Sequence, residues 1–149
     1  DELTYALHIM VRYEIEKQLI GGTLAVKDIP AEWNRLYKAY LGVDVPDDPH
    51  GCLQDSHWSG GMIGYFPSYA LGSAYAAQMC KNMEQELDVQ GDMRKGDLTA
   101  ISAWLQEKIH KHGSVYEPAQ IIENACGAFD PTVYTTYLTE KFSELYNIK

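Results

Sequence analysis

Residues 51–69 hold the densest group of side chains that could donate hydrogen bonds or protons to a substrate. The segment is rich in glycine, which lets a backbone approach a ligand closely. His57 can donate or accept near neutral pH, and the hydroxyls of Tyr65 and Tyr69 can donate to an oxygen that gains negative charge. Acyl chemistry needs such groups. The same composition also suits a histidine packed among aromatic rings, and residue spacing alone leaves both interpretations open.

The other titratable groups give weaker signals. His110 and His112 are two positions apart on a predicted helix, so their side chains diverge and we expect them to face solvent. His8 and His50 each stand alone in the sequence. Two acidic pairs could mimic catalytic carboxylates: Glu14 with Glu16, and Asp47 with Asp48. We expect the first pair on a helix surface and the second in a turn, and we assign catalysis to neither.

The composition is that of a globular protein, whose 149 residues can bury one core without disulfide or metal cross-links. A formal net charge of -9 repels nucleic-acid phosphate and anionic lipid, so we expect neither nucleic acid nor a membrane as a partner. The apolar stretches are too short to span a bilayer. Three cysteines without a CxxC pair argue against a disulfide framework and a cysteine zinc site, and they favour a reducing, cytoplasmic location.

The elements that must position residues 51–69 begin with a helix over the first twenty residues. Its apolar stripe repeats every four residues: Leu3, Leu7, Val11, Ile15 and Leu19. We expect its charged residues mostly on other faces: Arg12, Glu14, Glu16 and Lys17. The glycine pair at Gly21 should end this helix.

A second helix is predicted from Asp28, with Pro30 in its first turn, to Gly42. The prolines, glycines and aspartates of residues 43–56 predict a loop without regular structure. Beyond it, the alanine-rich stretch 70–86 is strongly helical by composition.

The rest of the chain also reads as helical. Residues 88–96 are polar, hold two glycines and are expected to form a loop that could act as a hinge. Asp97 is a suitable N-cap for the next helix, a short helix should follow Pro118, and Asp130 with its following proline should start the last one. We therefore predict an all-α fold, an irregular domain of about six helices that spans residues 1–149.

The segment 51–58 contains five residues in a characteristic order: Gly51, Gln54, Asp55, His57 and Trp58. This order resembles the G-x-x-Q-D-x-H-W pattern of the carboxypeptidase Taq family of zinc metallocarboxypeptidases. The stretch from Asp1 is similar to the family's sequence from the last residue of its I-R-x-x-A-D motif, and the run 64–72 is similar as well. The likeness covers essentially the whole chain but only the C-terminal part of the family's helical zinc-peptidase fold. It therefore implies a truncated or cleaved enzyme.

For the intact enzyme, the resemblance implies hydrolysis of single residues from the C-termini of peptides. The family binds zinc through an H-E-x-x-H helix and a downstream glutamate, and no H-E-x-x-H occurs in this sequence. We therefore expect the zinc ligands upstream of Asp1 and no metal on this chain. By itself the chain is expected to be inactive.

The resemblance also implies roles for particular side chains in one wall of the cleft. His57 and Tyr69 would be aimed at the scissile carbonyl oxygen as it becomes an oxyanion, with Tyr65 as the second choice. Gln54 and Asp55 would orient His57, hold the loop or contact the substrate. Trp58 is expected to pack.

A rival interpretation is a stand-alone helical interaction domain, without catalysis, that uses residues 43–69 to bind a partner. In the leading interpretation the partners are peptide C-termini and the missing N-terminal part of the same enzyme. Because removal of half of a shared core would leave apolar surface exposed, and because family members tend to dimerise, we also expect a homodimer.

Overall fold

The computed structural model describes residues 1–148, which form α-helices and short 3₁₀ turns without a β-strand. The α-helices are α1 (Tyr5–Ile20), α2 (Ile29–Leu41), α3 (Pro67–Met83), α4 (Val89–Lys95), α5 (Thr99–Lys108), α6 (Pro118–Cys126) and α7 (Thr132–Tyr146). The 3₁₀ turns lie at Val26–Asp28 and His110–His112. The predicted all-α class is confirmed, and residues 1–148 contain seven α-helices where about six were expected.

The described residues form two compact units, one over Asp1–Leu71 and one that begins at Gly72. The prediction of a single domain over residues 1–149 stays a prediction. Among residues 1–148, no helix is long and apolar enough to cross a membrane.

Helices α1 and α2 form the frame of the first unit. Gly21 caps the end of α1, and Gly42 ends α2 in the left-handed conformation with φ of 69°, as expected for a glycine at this position. Pro30 lies in the first turn of α2. The buried core of this unit consists of Val11, Ile15, Trp33, Leu36, Tyr37 and Cys52.

The distribution of charge on α1 differs from the prediction. Arg12 and Glu16 are buried, with relative exposures of 6% and 4%, so the expectation that they lie away from the buried face was wrong. Glu14 follows the prediction, since it pairs with Lys17 near the surface over 2.8 Å. The polar groups that compensate Arg12 and Glu16 come from the loop after α2, more than forty residues along the chain.

Between α2 and α3, residues 42–66 form turns and bends without a helix or strand, so the loop predicted for residues 43–56 is present and extends to residue 66. Asp47 and Asp48 lie in this loop, and the Asp48 carbonyl accepts hydrogen bonds from the backbone N–H groups of Gly51 and Leu53. Gly51 is buried, and a Cβ at this position would lie 2.7 Å from Val45 Cγ1 and 3.1 Å from the Asp47 carbonyl oxygen. The loop can therefore close on itself only with glycine at position 51.

In the second unit, the expected loop at residues 88–96 contains a helix instead. Asp88 caps α4, because its carboxylate accepts a hydrogen bond from the Gly91 backbone N–H over 3.0 Å. Gly96 then ends the helix with φ of 72°. Two glycines suggested a hinge. Gly91 lies in the capped first turn of α4, and Gly96 ends this helix.

The core of the second unit, among residues 72–148, is mostly apolar and contains one buried amide side chain. It is built on Met83, Val89 and Trp104. Gln78 of α3 is 3% exposed and donates to the carbonyl oxygens of three successive residues: Cys126, Gly127 and Ala128. Its carbonyl oxygen accepts from the Asp130 backbone N–H over 3.0 Å, so this side chain fixes the link between α6 and α7.

The later helices start where predicted to within one residue, although the N-cap positions of α5 and α7 are Leu98 and Pro131 rather than the predicted Asp97 and Asp130. Pro118 opens α6 behind a reciprocal capping box formed by Glu117 and Gln120. Asp97 and Asp130 each accept a hydrogen bond from the backbone N–H two residues ahead, over 3.0 and 2.9 Å. Hydrogen bonds from the side chain and backbone of Thr99 lower the pKa of Asp97, and those from Thr132 lower the pKa of Asp130.

Candidate active site

Asp55 is anchored to α1 by an ion pair with the buried side chain of Arg12. Arg12 Nε and Nη2 lie 2.7 and 2.6 Å from Asp55 Oδ2, and Nη1 donates to the His8 carbonyl oxygen over 2.8 Å. The guanidinium carbon of Arg12 also lies 4.7 Å from the Trp33 ring centroid, a favourable cation–π distance. Because Arg12 comes from a rigid helix, this pair ties the loop to a fixed frame.

Trp58 is anchored one turn further along the same helix. Its indole Nε1 donates to Glu16 Oε1 over 2.9 Å. The indole also meets the rings of Trp33 and Phe66 edge-on, with centroids 6.1 and 5.9 Å away. Packing was predicted for Trp58 and is observed, but the hydrogen bond to Glu16 was not foreseen.

His57 lies between these two anchors. Its Nε2 is 3.1 Å from the hydroxyl oxygen of Tyr69, which stands on the first turn of α3. The imidazole rests against buried Phe66, with ring centroids 4.5 Å apart. Its Nδ1 is buried and has no hydrogen-bond partner within residues 1–148. Nε2 of the imidazole therefore faces the Tyr69 phenol, whereas Nδ1 is enclosed by the surrounding residues.

Tyr69 is suited to donate a hydrogen bond. Its side chain is 36% exposed, and the ring of Tyr65 meets it edge-on at 5.3 Å. Partial desolvation, followed by the influence of Tyr65 and Tyr5, raises the pKa of the Tyr69 phenol. The phenol therefore stays protonated over the neutral pH range.

These groups surround a pocket of about 440 Å³ in the first unit. Its lining combines titratable and aromatic side chains: Asp1, Tyr5, His8, Ile9, Arg12, Asp55, His57, Phe66 and Tyr69. Among the predicted site residues, the structure thus brings His57, Tyr69 and Asp55 together. Within the described residues, Gln54 and Tyr65 are not part of this lining.

Gln54 and Tyr65 lie near the pocket without lining it. Gln54 Nε2 is 3.5 Å from the Tyr37 hydroxyl, at the limit of a hydrogen bond. Tyr65 is 47% exposed, and its ring stacks on His57 with centroids 6.2 Å apart. Gln54 is therefore placed to hold the loop against α2, and Tyr65 to cover the imidazole.

Sequence reasoning missed His8, Tyr5 and Arg12 as lining residues. His8 Nδ1 lies 3.1 Å from the Tyr37 hydroxyl, and burial together with nearby Arg12 lowers the pKa of His8, so its ring is neutral at pH 7. A signal was present, because positions 5, 8, 12 and 16 share one face of an α-helix. An apolar stripe runs beside these four positions, so the sequence pattern indicates packing and does not draw attention to the polar residues.

The other candidate groups stay apart from this pocket. His50 is exposed and bonded to Asp47, with its Nδ1 2.6 Å from Asp47 Oδ1, and the backbone and side-chain hydrogen bonds of His50 lower the pKa of Asp47. His110 is exposed as predicted, whereas His112 is half-buried against the ring of Tyr116.

The donor set of this chain does not fit the zinc that the resemblance implies. Tetrahedral zinc sites need three or four His, Cys, Asp or Glu ligands in one cluster. No cluster of three such side chains is found in the part of the chain that the structure describes. The chemistry that these residues can supply is hydrogen-bond donation from His57 and Tyr69 into a concave surface.

Comparisons with known proteins identify relatives over almost the whole of this chain. Carboxypeptidase 1 of Bacillus subtilis is 45% identical over 148 residues, and Thermostable carboxypeptidase 1 of Thermus thermophilus is 39% identical over 148 residues. These alignments cover 98% of this chain but only 30% and 29% of the relatives. The chain thus spans less than a third of the length of the curated relatives that it matches.

Solved structures are similar over the same extent. Metallocarboxypeptidase 1 of Trypanosoma cruzi matches with a TM-score of 0.90 and 44% identity, over 95% of this chain and 30% of that one. The M32 carboxypeptidase of Deinococcus radiodurans matches with a TM-score of 0.92 and 37% identity, over 99% and 30%. The model of the carboxypeptidase Taq (M32) metallopeptidase family matches residues 1–142. The chain belongs to this family.

Proposed function

We propose that this chain forms one wall of the catalytic cleft of a metallocarboxypeptidase that releases single residues from peptide C-termini. The observation that carries the proposal is the 3.1 Å contact between His57 Nε2 and the Tyr69 hydroxyl at a pocket of about 440 Å³. Both side chains line this pocket, and neither is sealed in a packed interior. The relatives carry the name carboxypeptidase, which supports the same reaction class.

The two side chains suit an oxyanion. A proton on the buried His57 Nδ1 would be an unpaired N–H, a costly arrangement, so we assign the tautomer that carries its proton on Nε2. Nε2–H can then donate toward the pocket, and the hydrogen of the Tyr69 hydroxyl can rotate to do the same. Two donors that converge on a carbonyl oxygen stabilise the charge that it acquires during attack.

We assign substrate binding to Tyr65, Asp55 and Gln54. Tyr65 is the most exposed aromatic ring beside the pair and is the second choice of donor. Asp55 lines the pocket while its ion pair with Arg12 fixes its position. Gln54 supports the loop through Tyr37, so we expect its effect on substrate binding to be the weakest of the three.

We further propose that the metal of the intact enzyme is zinc, with ligands on polypeptide outside these 149 residues, since the sequence lacks H-E-x-x-H. A homodimer is supported by apolar residues near the end of α7, where Leu145 and Tyr146 are 65% and 61% exposed. A cytoplasmic location is supported by three free thiols, Cys52, Cys80 and Cys126.

Steady-state kinetics on the full-length enzyme that carries this chain tests the assignment. Because removal of one preorganised oxyanion donor costs about 10²–10³ in turnover, we expect Tyr69→Phe and His57→Ala to lower kcat by that factor, with a far smaller change in substrate binding. Tyr116→Phe and His50→Ala are matched controls, as both residues are exposed and lie outside the pocket lining. Near-normal kcat in both test variants would remove the proposed role.

A further inference from the structure

We propose that Glu16 is a positioning residue for the His57–Tyr69 pair and that it acts through the indole of Trp58. Since this role presupposes that the pair takes part in catalysis, it rests on the proposed function. Neither the sequence motif nor the pocket lining includes Glu16.

The first argument is the burial of the carboxylate. Glu16 is 4% exposed, and a buried carboxyl group costs free energy unless it is paired. Its Oε1 accepts from Trp58, while its Oε2 is buried without a hydrogen bond in residues 1–148. A leucine or methionine would fill the same space at lower cost, as replacements of buried charged groups by apolar ones often do. The directional bond to Trp58 is what an apolar side chain cannot supply.

The second argument is the location of Trp58. It is the residue next to His57, and its ring meets Phe66, the same ring on which the imidazole rests. A hydrogen bond at 2.9 Å fixes the rotation of the indole, and the indole in turn fixes the ring of Phe66. The orientation of the imidazole thus depends on Glu16 through contacts that are all present in the structure.

The third argument is that α1 binds the loop on both sides of His57. Asp55, two residues before it, is bound by Arg12, and Trp58, one residue after it, is bound by Glu16. Arg12 and Glu16 are four residues apart and lie on one face of α1. The loop is therefore held on both sides of His57 by one rigid helix, which restrains its backbone in two places.

The kinetic test uses variants of similar volume in the full-length enzyme. Glu16→Leu removes the acceptor, whereas Glu16→Gln keeps a carbonyl oxygen that can accept from the indole. Because displacement of a catalytic group by about 1 Å can cost 10²-fold, we expect Glu16→Leu to lower kcat by about 10-fold to 10²-fold with KM within about twofold. We expect Glu16→Gln to restore kcat to within about threefold of the wild type.

A double-mutant cycle tests the route through the indole. We expect Trp58→Phe alone to match Glu16→Leu in kcat, and the double variant to be no slower than either single one, since both remove the same bond. Glu14→Gln is the matched control, because Glu14 lies on the same helix and pairs with Lys17 near the surface. It should leave kcat unchanged. Additive losses in the double variant would overturn the route through Trp58.

A spectroscopic measurement separates this role from the proposed function. In this chain labelled with ¹⁵N-histidine, Glu16→Leu should shift the imidazole nitrogen resonances of His57, and Glu16→Gln should leave them near their wild-type positions. If the resonances shift but His57→Ala retains normal kcat, the catalytic assignment fails while the placement of the ring by Glu16 stands. If Glu16→Leu fails to fold, Trp58→Phe takes its place. A variant with lowered stability but unchanged resonances and unchanged kcat would make Glu16 merely structural and overturn the proposal.

Discussion

The interiors of the two compact units contain different kinds of polar group. In the first unit, an arginine and a glutamate are buried, and each binds a residue of an irregular loop. In the second unit, the buried polar residue among those described is the amide of Gln78, which binds backbone groups between two helices. The Gln78 amide holds the backbone between α6 and α7, whereas Arg12 and Glu16 hold side chains of the loop beside a pocket. The difference shows that buried charge, rather than helix content, distinguishes the unit that holds the proposed site.

The largest expected effect on stability is at Arg12. Loss of one partner of a buried ion pair costs about 3–5 kcal/mol, and we expect the lower end for Arg12→Met because Asp55 keeps 24% of its side-chain surface in solvent. Urea unfolding of this chain checks this value. Arg12→Met combined with Asp55→Asn should lose clearly less than the sum of the single changes. A loss below about 1 kcal/mol for Arg12→Met, as at surface pairs, would remove the contrast between the units.

An intermediate effect is expected at Gln78 in the second unit. Gln78→Leu leaves the Asp130 N–H and three carbonyl oxygens without their side-chain partner, and we expect a loss of about 2 kcal/mol in the free energy of unfolding. Hydrogen exchange should localise the change to the link between α6 and α7. Gln90→Leu is the control, because Gln90 is exposed and the one side-chain hydrogen bond described for it goes to exposed Glu84. If both variants lose the same stability, the amide has no special role.

Comparison with the sequence predictions shows which features depend on local chemistry. The ends of α1 and α2 at Gly21 and Gly42 were predictable, because backbone conformation decides them within a few residues. The burial of Arg12 and Glu16 was not, since their partners lie 43 and 42 residues away. A helix pattern read alone places such charges in solvent.

The same distinction applies to α4 and to the site. From its sequence context Gly91 is predicted to lie in a loop, although Asp88 three positions earlier supplies the cap that makes a helix possible. His57 and Tyr69 were identified through a sequence resemblance, and their 3.1 Å contact depends on the fold of residues 58–68 between them. The roles of His8 and Arg12 in the lining require knowledge of which helix face the loop covers.

The smallest expected effect is a pH dependence at the surface of the first unit. A hydrogen bond from Arg35, supported by Gln18, lowers the pKa of Glu32 from 4.5 to about 2. A carboxylate with a depressed pKa stabilises the fold above its unfolded-state value, and this contribution is lost as pH falls through the folded-state value. Between pH 5 and pH 2, Glu32→Gln should therefore lose less stability than the wild type. Thermal unfolding at both pH values checks this, and parallel losses would contradict it.

The thiol next to Gly51 gives the loop around His57 an internal reporter. Cys52 is 7% exposed, and burial raises the pKa of its thiol, so little reactive thiolate forms at neutral pH. An alkylating reagent can modify this sulfur only after the loop has opened and exposed it. The rate of alkylation at Cys52 therefore measures how often residues around His57 leave their closed arrangement, without any added label.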